Sequence, residues 1–189
     1  MPYPSQIDAD SILKVARNAI EADGVGNLSL NKLAAAMGVK AASLYRYYDN
    51  KAALLKAINQ QTIQRLFAAL EPALDSSSAT IEQLMMGAKL YRAFALDNPQ
   101  TYGMLFTNTI DDLRPDPEEN VRLILPYQQL FADLCGDVNA LAALRGYLAL
   151  LHGYAMLLLA DQLRRGGDLQ QDYETAVRAY LTGWVANEK

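Results

Sequence analysis

The sequence predicts an all-α protein: an N-terminal three-helix, helix-turn-helix domain followed by a C-terminal helical body. Three observations carry this. No stretch of the 189 residues sustains the apolar/polar alternation of strands, whereas apolar positions recur at spacings of three and four through most of the chain. Leu28 to Lys51, LSLNKLAAAMGVKAASLYRYYDNK, reads as a helix, a glycine turn and a second short helix. Charge is also divided: residues 1–56 carry seven Lys/Arg against five Asp/Glu, residues 57–189 ten against sixteen, giving +2 and −6 within the net −4. A basic module on an acidic body suits a protein that meets phosphate at one end only.

Taken in order, the first helix is predicted over Asp8 to Asp23, with Ile12, Val15, Ala16 and Ala19 on its inner face and Gly24 and Gly26 closing it. The second opens at Ser29, whose hydroxyl can accept from an orphan amide of the first turn. It presents Leu30, Leu33, Ala34 and Met37, and Gly38 ends it, being able to take the left-handed conformation cheaply. The third runs from about Lys40 to Tyr48. Leu44 and Tyr48 face the second helix together with Val39, leaving Lys40, Ala41, Ala42, Ser43, Tyr45, Arg46 and Tyr47 nearer solvent. In a helix-turn-helix this second short helix enters the major groove of DNA. The alternative is a helical hairpin whose tyrosines merely pack. Asn50 to Leu70 is a longer helix, broken by Pro72 and the Asp75-Ser76-Ser77-Ser78 run. Helices follow over Thr80 to Asn98 and Pro99 to Thr107, then an acidic loop to Pro117, then Glu118 to Leu134 with a kink predicted at Pro126. Val138 to Arg165 and Asp168 to Asn187 complete the chain, parted by Gly166-Gly167.

The SLNKLAAAMGV helix and turn, the LYRYY block and Lys51 three residues after it resemble the DNA-binding domain of the TetR family of transcriptional regulators, over about Ile12 to Leu55. The resemblance implies domains at 1–56 and 57–189, a homodimer built through four helices, two from each subunit, and a ligand pocket in the body. It also implies a regulator of a pseudo-palindromic DNA operator, most commonly a repressor released by a small effector. The YRAFALDNPQTYGMLF block and His152-Gly153 are similar to one TetR subgroup in which a Trp precedes the His-Gly; Tyr147 and Leu148 stand in that neighbourhood here. On the outward face, Lys40 and Ser43 are expected at base edges or nearby phosphates, Ala41 and Ala42 at thymine methyls, and Tyr45, Tyr47 and Lys51 on the DNA backbone. Arg46 suits either role, and Ser29 completes the set.

In the last two helices, Tyr173, Ala176, Val177, Tyr180 and Trp184 form one apolar stripe, and the preceding helix is apolar on more than one side. Leu144, Leu151, Leu158, Tyr173, Val177, Tyr180 and Trp184 are the dimer-interface candidates; packing within one chain explains the same stripe. Met85, Tyr91, Tyr102, Phe106, Tyr127, Phe131, His152 and Met156 are candidate lining for a pocket that takes an apolar or aromatic small molecule, against the alternative that they fill the core.

Catalytic chemistry has little to stand on. With one histidine and one cysteine there is no metal-ligand cluster, no cofactor motif is present, and His152 lies in an apolar helix. The carboxylates Asp111, Asp112, Asp116, Glu118 and Glu119 read as solvated loop and helix-start charges. Cys135 alone permits no internal disulfide, which points to a reducing compartment. No signal peptide is evident, and the uncharged run Gly146 to Ala160 is shorter than the roughly 20 residues a bilayer requires, so a cytoplasmic protein without membrane contact is expected. The expected function is operator binding by a non-enzymatic regulator; the alternative is a helical small-molecule binding or interaction protein without operator recognition.

Overall fold

The computed structural model describes residues 7–75, 77–107 and 113–185. Among these there are nine α-helices and no strand: α1 (Ala9–Asp23), α2 (Leu30–Ala36), α3 (Ala41–Tyr45), α4 (Lys51–Leu70), α5 (Thr80–Asp97), α6 (Pro99–Thr107), α7 (Pro117–Cys135), α8 (Asp137–Leu159) and α9 (Leu169–Val185). Short 3₁₀ turns follow α1 at Val25–Asn27 and α4 at Glu71–Leu74.

The helices divide into two compact units. Unit 1 comprises residues 1–63 together with 98–117, and unit 2 comprises 64–97 together with 118–189. The chain therefore passes from one unit to the other within α4, again between α5 and α6, and a third time at the start of α7.

Unit 1 is organised by an apolar cluster. Ile12, Ala16 and Ile20 from α1, Leu30, Leu33 and Ala34 from α2, Leu44 from α3, and Leu54 and Ile58 from α4 are buried in it. Met104 of α6 and Leu113 belong to the same cluster, although they lie more than forty residues downstream of its other members. Polar bonds fix this late segment. The Glu21 carboxylate of α1 accepts from the amides of Gln100 and Thr101 at 3.0 Å each and from the Thr101 hydroxyl, which caps the first turn of α6. Asn59 Nδ2 donates to the Leu113 carbonyl at 2.7 Å, and Gln60 Oε1 accepts from the Asp116 amide at 2.6 Å.

In unit 2, α5 packs against α8 and α9, and α8 against α9. Tyrosines tie these helices by donating to main-chain carbonyls: the buried Tyr147 of α8 to Leu84 and Tyr173 of α9 to Ala88 at 2.9 Å, and the half-buried Tyr180 to Ala143 at 2.7 Å. Gly146 makes the last of these possible, since a Cβ there would stand 2.3 Å from the Tyr180 hydroxyl oxygen. Ion pairs from Glu82 to Arg178 at 3.0 Å and from Lys89 to Glu174 at 3.2 Å line the α5–α9 seam. On such exposed groups they set register more than stability.

Several boundaries differ from the sequence expectation. α8 ends at Leu159 rather than Arg165, because Asp161 adopts a left-handed φ of 51° that stops the helix. Pro126 lies inside α7, which continues through it. α8 is also, by length and composition, apolar enough to cross a bilayer: Asp137 and Arg145 interrupt the uncharged run without interrupting the helix. Its apolar character has packing uses, since Ala140, Ala143, Leu144, Tyr147, Leu151 and Ala155 are buried in unit 2.

Candidate nucleic-acid interface

The site is built from α2, α3 and the turn between them. Ser29 is extended and its side chain accepts from the Lys32 amide at 3.2 Å, so α2 starts where the local sequence supplies a cap. At the other end Gly38 takes a φ of 67°, which lets the Val39 amide reach the Ala34 carbonyl at 3.0 Å and turns the chain into α3. α3 is shorter than expected, Ala41–Tyr45 rather than Lys40 to Tyr48. Lys40 is extended at its cap position, and the amides of Tyr47 and Tyr48 both return to the Leu44 carbonyl, at 2.9 and 3.0 Å, which closes the helix in a turn.

Leu44 is wholly buried and orients α3. Consequently Lys40, Ala42, Tyr45 and Arg46 are exposed, Tyr45 by 47%, while Ala41 and Ser43 are half-buried at the rim. Two of the expected DNA contacts hold main-chain atoms of their own unit. The Tyr47 hydroxyl donates to the Ile7 carbonyl at 2.6 Å, and Lys51 Nζ donates to the Val25 carbonyl at 2.9 Å. Lys32 Nζ reaches the Asn27 carbonyl at 3.2 Å, so two lysines converge on the turn after α1. The arrangement is a short helix with a flat, small and basic outer face, backed by a rigid core and flanked by phenols. A surface of this charge and size suits a nucleic-acid groove, with donors placed on either side.

The remaining candidate residues fall into different places. Tyr102 and Phe106 belong to unit 1, where their rings meet at 5.1 Å and Tyr102 is fully buried. In unit 2, Tyr91, Tyr127 and Phe131 gather about Tyr147: Phe131 lies edge-on to it at 5.3 Å, and burial first, then the neighbouring Tyr173, Tyr127 and Tyr91, push the Tyr147 phenol well above its usual value. Met85 is buried in α5 beside the outer face of α9. His152 and Met156 sit half-buried on α8, and burial holds the His152 imidazole below the ordinary histidine value.

The dimer candidates divide by burial. Leu144, Leu151, Tyr173 and Val177 are already buried within one chain and offer no surface to a partner, because the strongest apolar stripe of each helix is the one turned into unit 2. Leu158, Tyr180 and Trp184 are half-buried, the last two in ring contact at 6.3 Å. Asp111 and Asp112 lie outside the described residues. Among the described residues, no three His, Cys, Asp or Glu side chains group closely enough to hold a metal ion.

Fold and site together define a helix-turn-helix DNA-binding protein with a separate helical body. The family model for bacterial regulatory proteins of the tetR family matches residues 12–58, and that for the tetracyclin repressor-like C-terminal domain matches residues 84–180, just over half of the chain. The chain belongs to the TetR family of transcriptional regulators. It is 22% identical over 178 residues to the uncharacterized HTH-type transcriptional regulator YobS of Bacillus subtilis (strain 168), which spans 94% of this chain and 93% of that protein. It is 30% identical over 91 residues to the nucleoid occlusion factor SlmA of Vibrio vulnificus, spanning 48% of this chain and 46% of SlmA. Among solved structures, a protein of unknown function from Rhodococcus sp. RHA1 shares the fold with a TM-score of 0.82 at 23% identity, covering 96% of this chain and 98% of that one. A TetR variant from Acinetobacter baumannii AYE in complex with minocycline does so with a TM-score of 0.75 at 18% identity, covering 97% and 99%.

Proposed function

We propose that the chain is a homodimeric repressor that binds a pseudo-palindromic operator through α3 and is released when its body takes up a small apolar or aromatic effector. The observation that carries this reading is the outer face of α3, where Lys40, Ala42, Tyr45 and Arg46 are exposed over a wholly buried Leu44. Supporting a dimer, α8 turns a second face outward on which Val138, 95% exposed, Leu141, Ala142 and Ala149 surround a single charged side chain, Arg145. On its own outer face α9 offers small side chains, Thr175, Ala179, Thr182 and Gly183, along an open groove of about 700 Å³ that Met85 of α5 also lines. Apolar ridges and small-residue grooves are what two copies need for close helix packing. A dimer would present two α3 helices to half-sites about 34–36 Å apart. The cytoplasm, where operator DNA lies, is the matching compartment.

The test is fluorescence anisotropy with the full chain and the DNA upstream of its own gene, at several salt concentrations. Specific binding that weakens steeply with salt is expected, and Tyr45→Ala with Arg46→Ala should abolish it while circular dichroism stays unchanged. Binding that is absent, or indifferent to both substitutions, sinks the operator reading in favour of a binding protein without DNA recognition.

A further inference from the structure

Two buried polar atoms of α7 have no hydrogen-bond partner: the Tyr127 hydroxyl and Asn120 Oδ1. The residues are seven apart, hence two helical turns and about 10 Å along the same face of α7. Leaving a buried polar group unpaired is costly enough that such atoms mark a place where something else belongs. Tyr127 is only 7% exposed, and its ring packs on Phe67 at 5.7 Å and 52°. One turn beyond Phe67 stands Glu71. Burial first and the Glu71 carboxylate second push the Tyr127 phenol up to about 12, so its hydroxyl stays neutral beside a negative charge. Arg65, the arginine of this part of α4, lies over the Phe94 ring of α5. Around Tyr127 stand its own neutral hydroxyl, which can accept or donate, the Phe67 ring and, one turn beyond that ring, the Glu71 carboxylate. That chemistry receives a donor-bearing cation.

We propose that unit 2 binds an aromatic amine, its ammonium held by Tyr127 and Glu71 against the Phe67 ring and a second donor accepted two helical turns away by Asn120. This rests on the reading that the body takes up a small effector, and it narrows the effector to an organic cation with donors at both ends. The Glu71 charge disfavours an aromatic carboxylate at the same place.

The probes are tyramine, phenethylamine and para-hydroxyphenylpropanoate, titrated calorimetrically into the full-length protein. Tyramine should bind about tenfold more tightly than phenethylamine, which lacks the far donor, and at least about tenfold more tightly than the carboxylate. Asn120→Leu should bring tyramine down to phenethylamine and leave phenethylamine unchanged. Glu71→Gln and Tyr127→Phe should each weaken both amines by about tenfold. Glu71 is exposed, so its variant keeps the fold even where a change at Tyr127 disturbs packing. A carboxylate that binds as well as tyramine, an amine that does not bind, or a Glu71→Gln variant with unaltered affinity overturns the proposal. Adding the same probes to the DNA complex separates the two readings. Amine binding without DNA release leaves the site standing and removes the effector-release mechanism; release by the carboxylate, with no amine bound, does the reverse.

Discussion

Lys51 and Tyr47 show how a residue that looks like a DNA contact in sequence acquires a second task in three dimensions. Each carries the donor a phosphate would accept, yet each donates to a carbonyl of its own unit, Val25 and Ile7. Replacing Lys51 with alanine should therefore lower stability by about 0.5–1.5 kcal/mol, measured by urea denaturation, besides any loss of DNA affinity. Lys40→Ala should behave differently. Its side chain is exposed on the cap of α3, so stability should stay within about 0.5 kcal/mol while the salt dependence of DNA binding falls by about one unit of slope. Equal stability for wild type and Lys51→Ala would show that the bond to Val25 is not maintained in solution. The sequence could display both lysines and their sign. It could not pair Lys51 with a carbonyl 26 residues away, because that pairing depends on how α1 and α4 pack.

At the scale of elements, what was legible is what is local. Ser29 and Gly38 bound α2 as their types require, since a cap is a contact within one turn. α3 is shorter than its periodicity implies because the return of two amides to Leu44 is decided by the tight junction into α4, which begins only at Lys51. The start of α1 hides a reciprocal cap: Ser11 N donates to Asp8 Oδ1 at 2.7 Å, and Asp8 N to Ser11 Oγ at 3.1 Å. The bond from Ser11 N holds the Asp8 carboxyl below its usual value. A carboxylate so depressed adds stability above its unfolded value near 3.8 and loses it as pH falls through the folded one, so Asp8→Asn should flatten the acid limb of a stability–pH curve below about pH 4. An acid limb that matches the wild type would remove Asp8 from the account. Glu21 makes the corresponding test for α6. Glu21→Ala uncaps that helix and should cost about 0.5–2 kcal/mol, with faster amide exchange at Gln100 and Thr101 as the local signature. Exchange that is unchanged at those two amides would contradict the cap.

For the whole molecule, the relevant distinction is between the inward apolar face of α8 and the outward one, where apolar side chains surround Arg145. Periodicity found both and could not rank them, because a helix apolar on several sides carries no mark of which side its own chain covers. Burial decides: Leu144 and Leu151 face inward, Val138 and Leu141 outward. Ala149→Arg, on the outward face, should convert a dimer into a monomer in sedimentation at micromolar concentration without loss of helicity. A dimer that persists would place the partner elsewhere. The phenolic cluster around Tyr147 shows a similar limit. Composition offers Tyr102 and Tyr127 alike as pocket or core, and that Tyr102 sits in unit 1 while Tyr127 joins the cluster in unit 2 is a matter of long-range packing no local pattern encodes.

The membership of Met104 and Leu113 in the core around α1 to α4 has a consequence for how such proteins can be recombined. A hybrid that joins residues 1–63 to a foreign body would inherit the recognition surface but leave two core positions to be filled by strangers, along with the Glu21 and Asn59 anchors that received them. The transferable cassette is discontinuous, residues 1–63 with 98–117, and a graft should keep its reading head intact only when both pieces travel together.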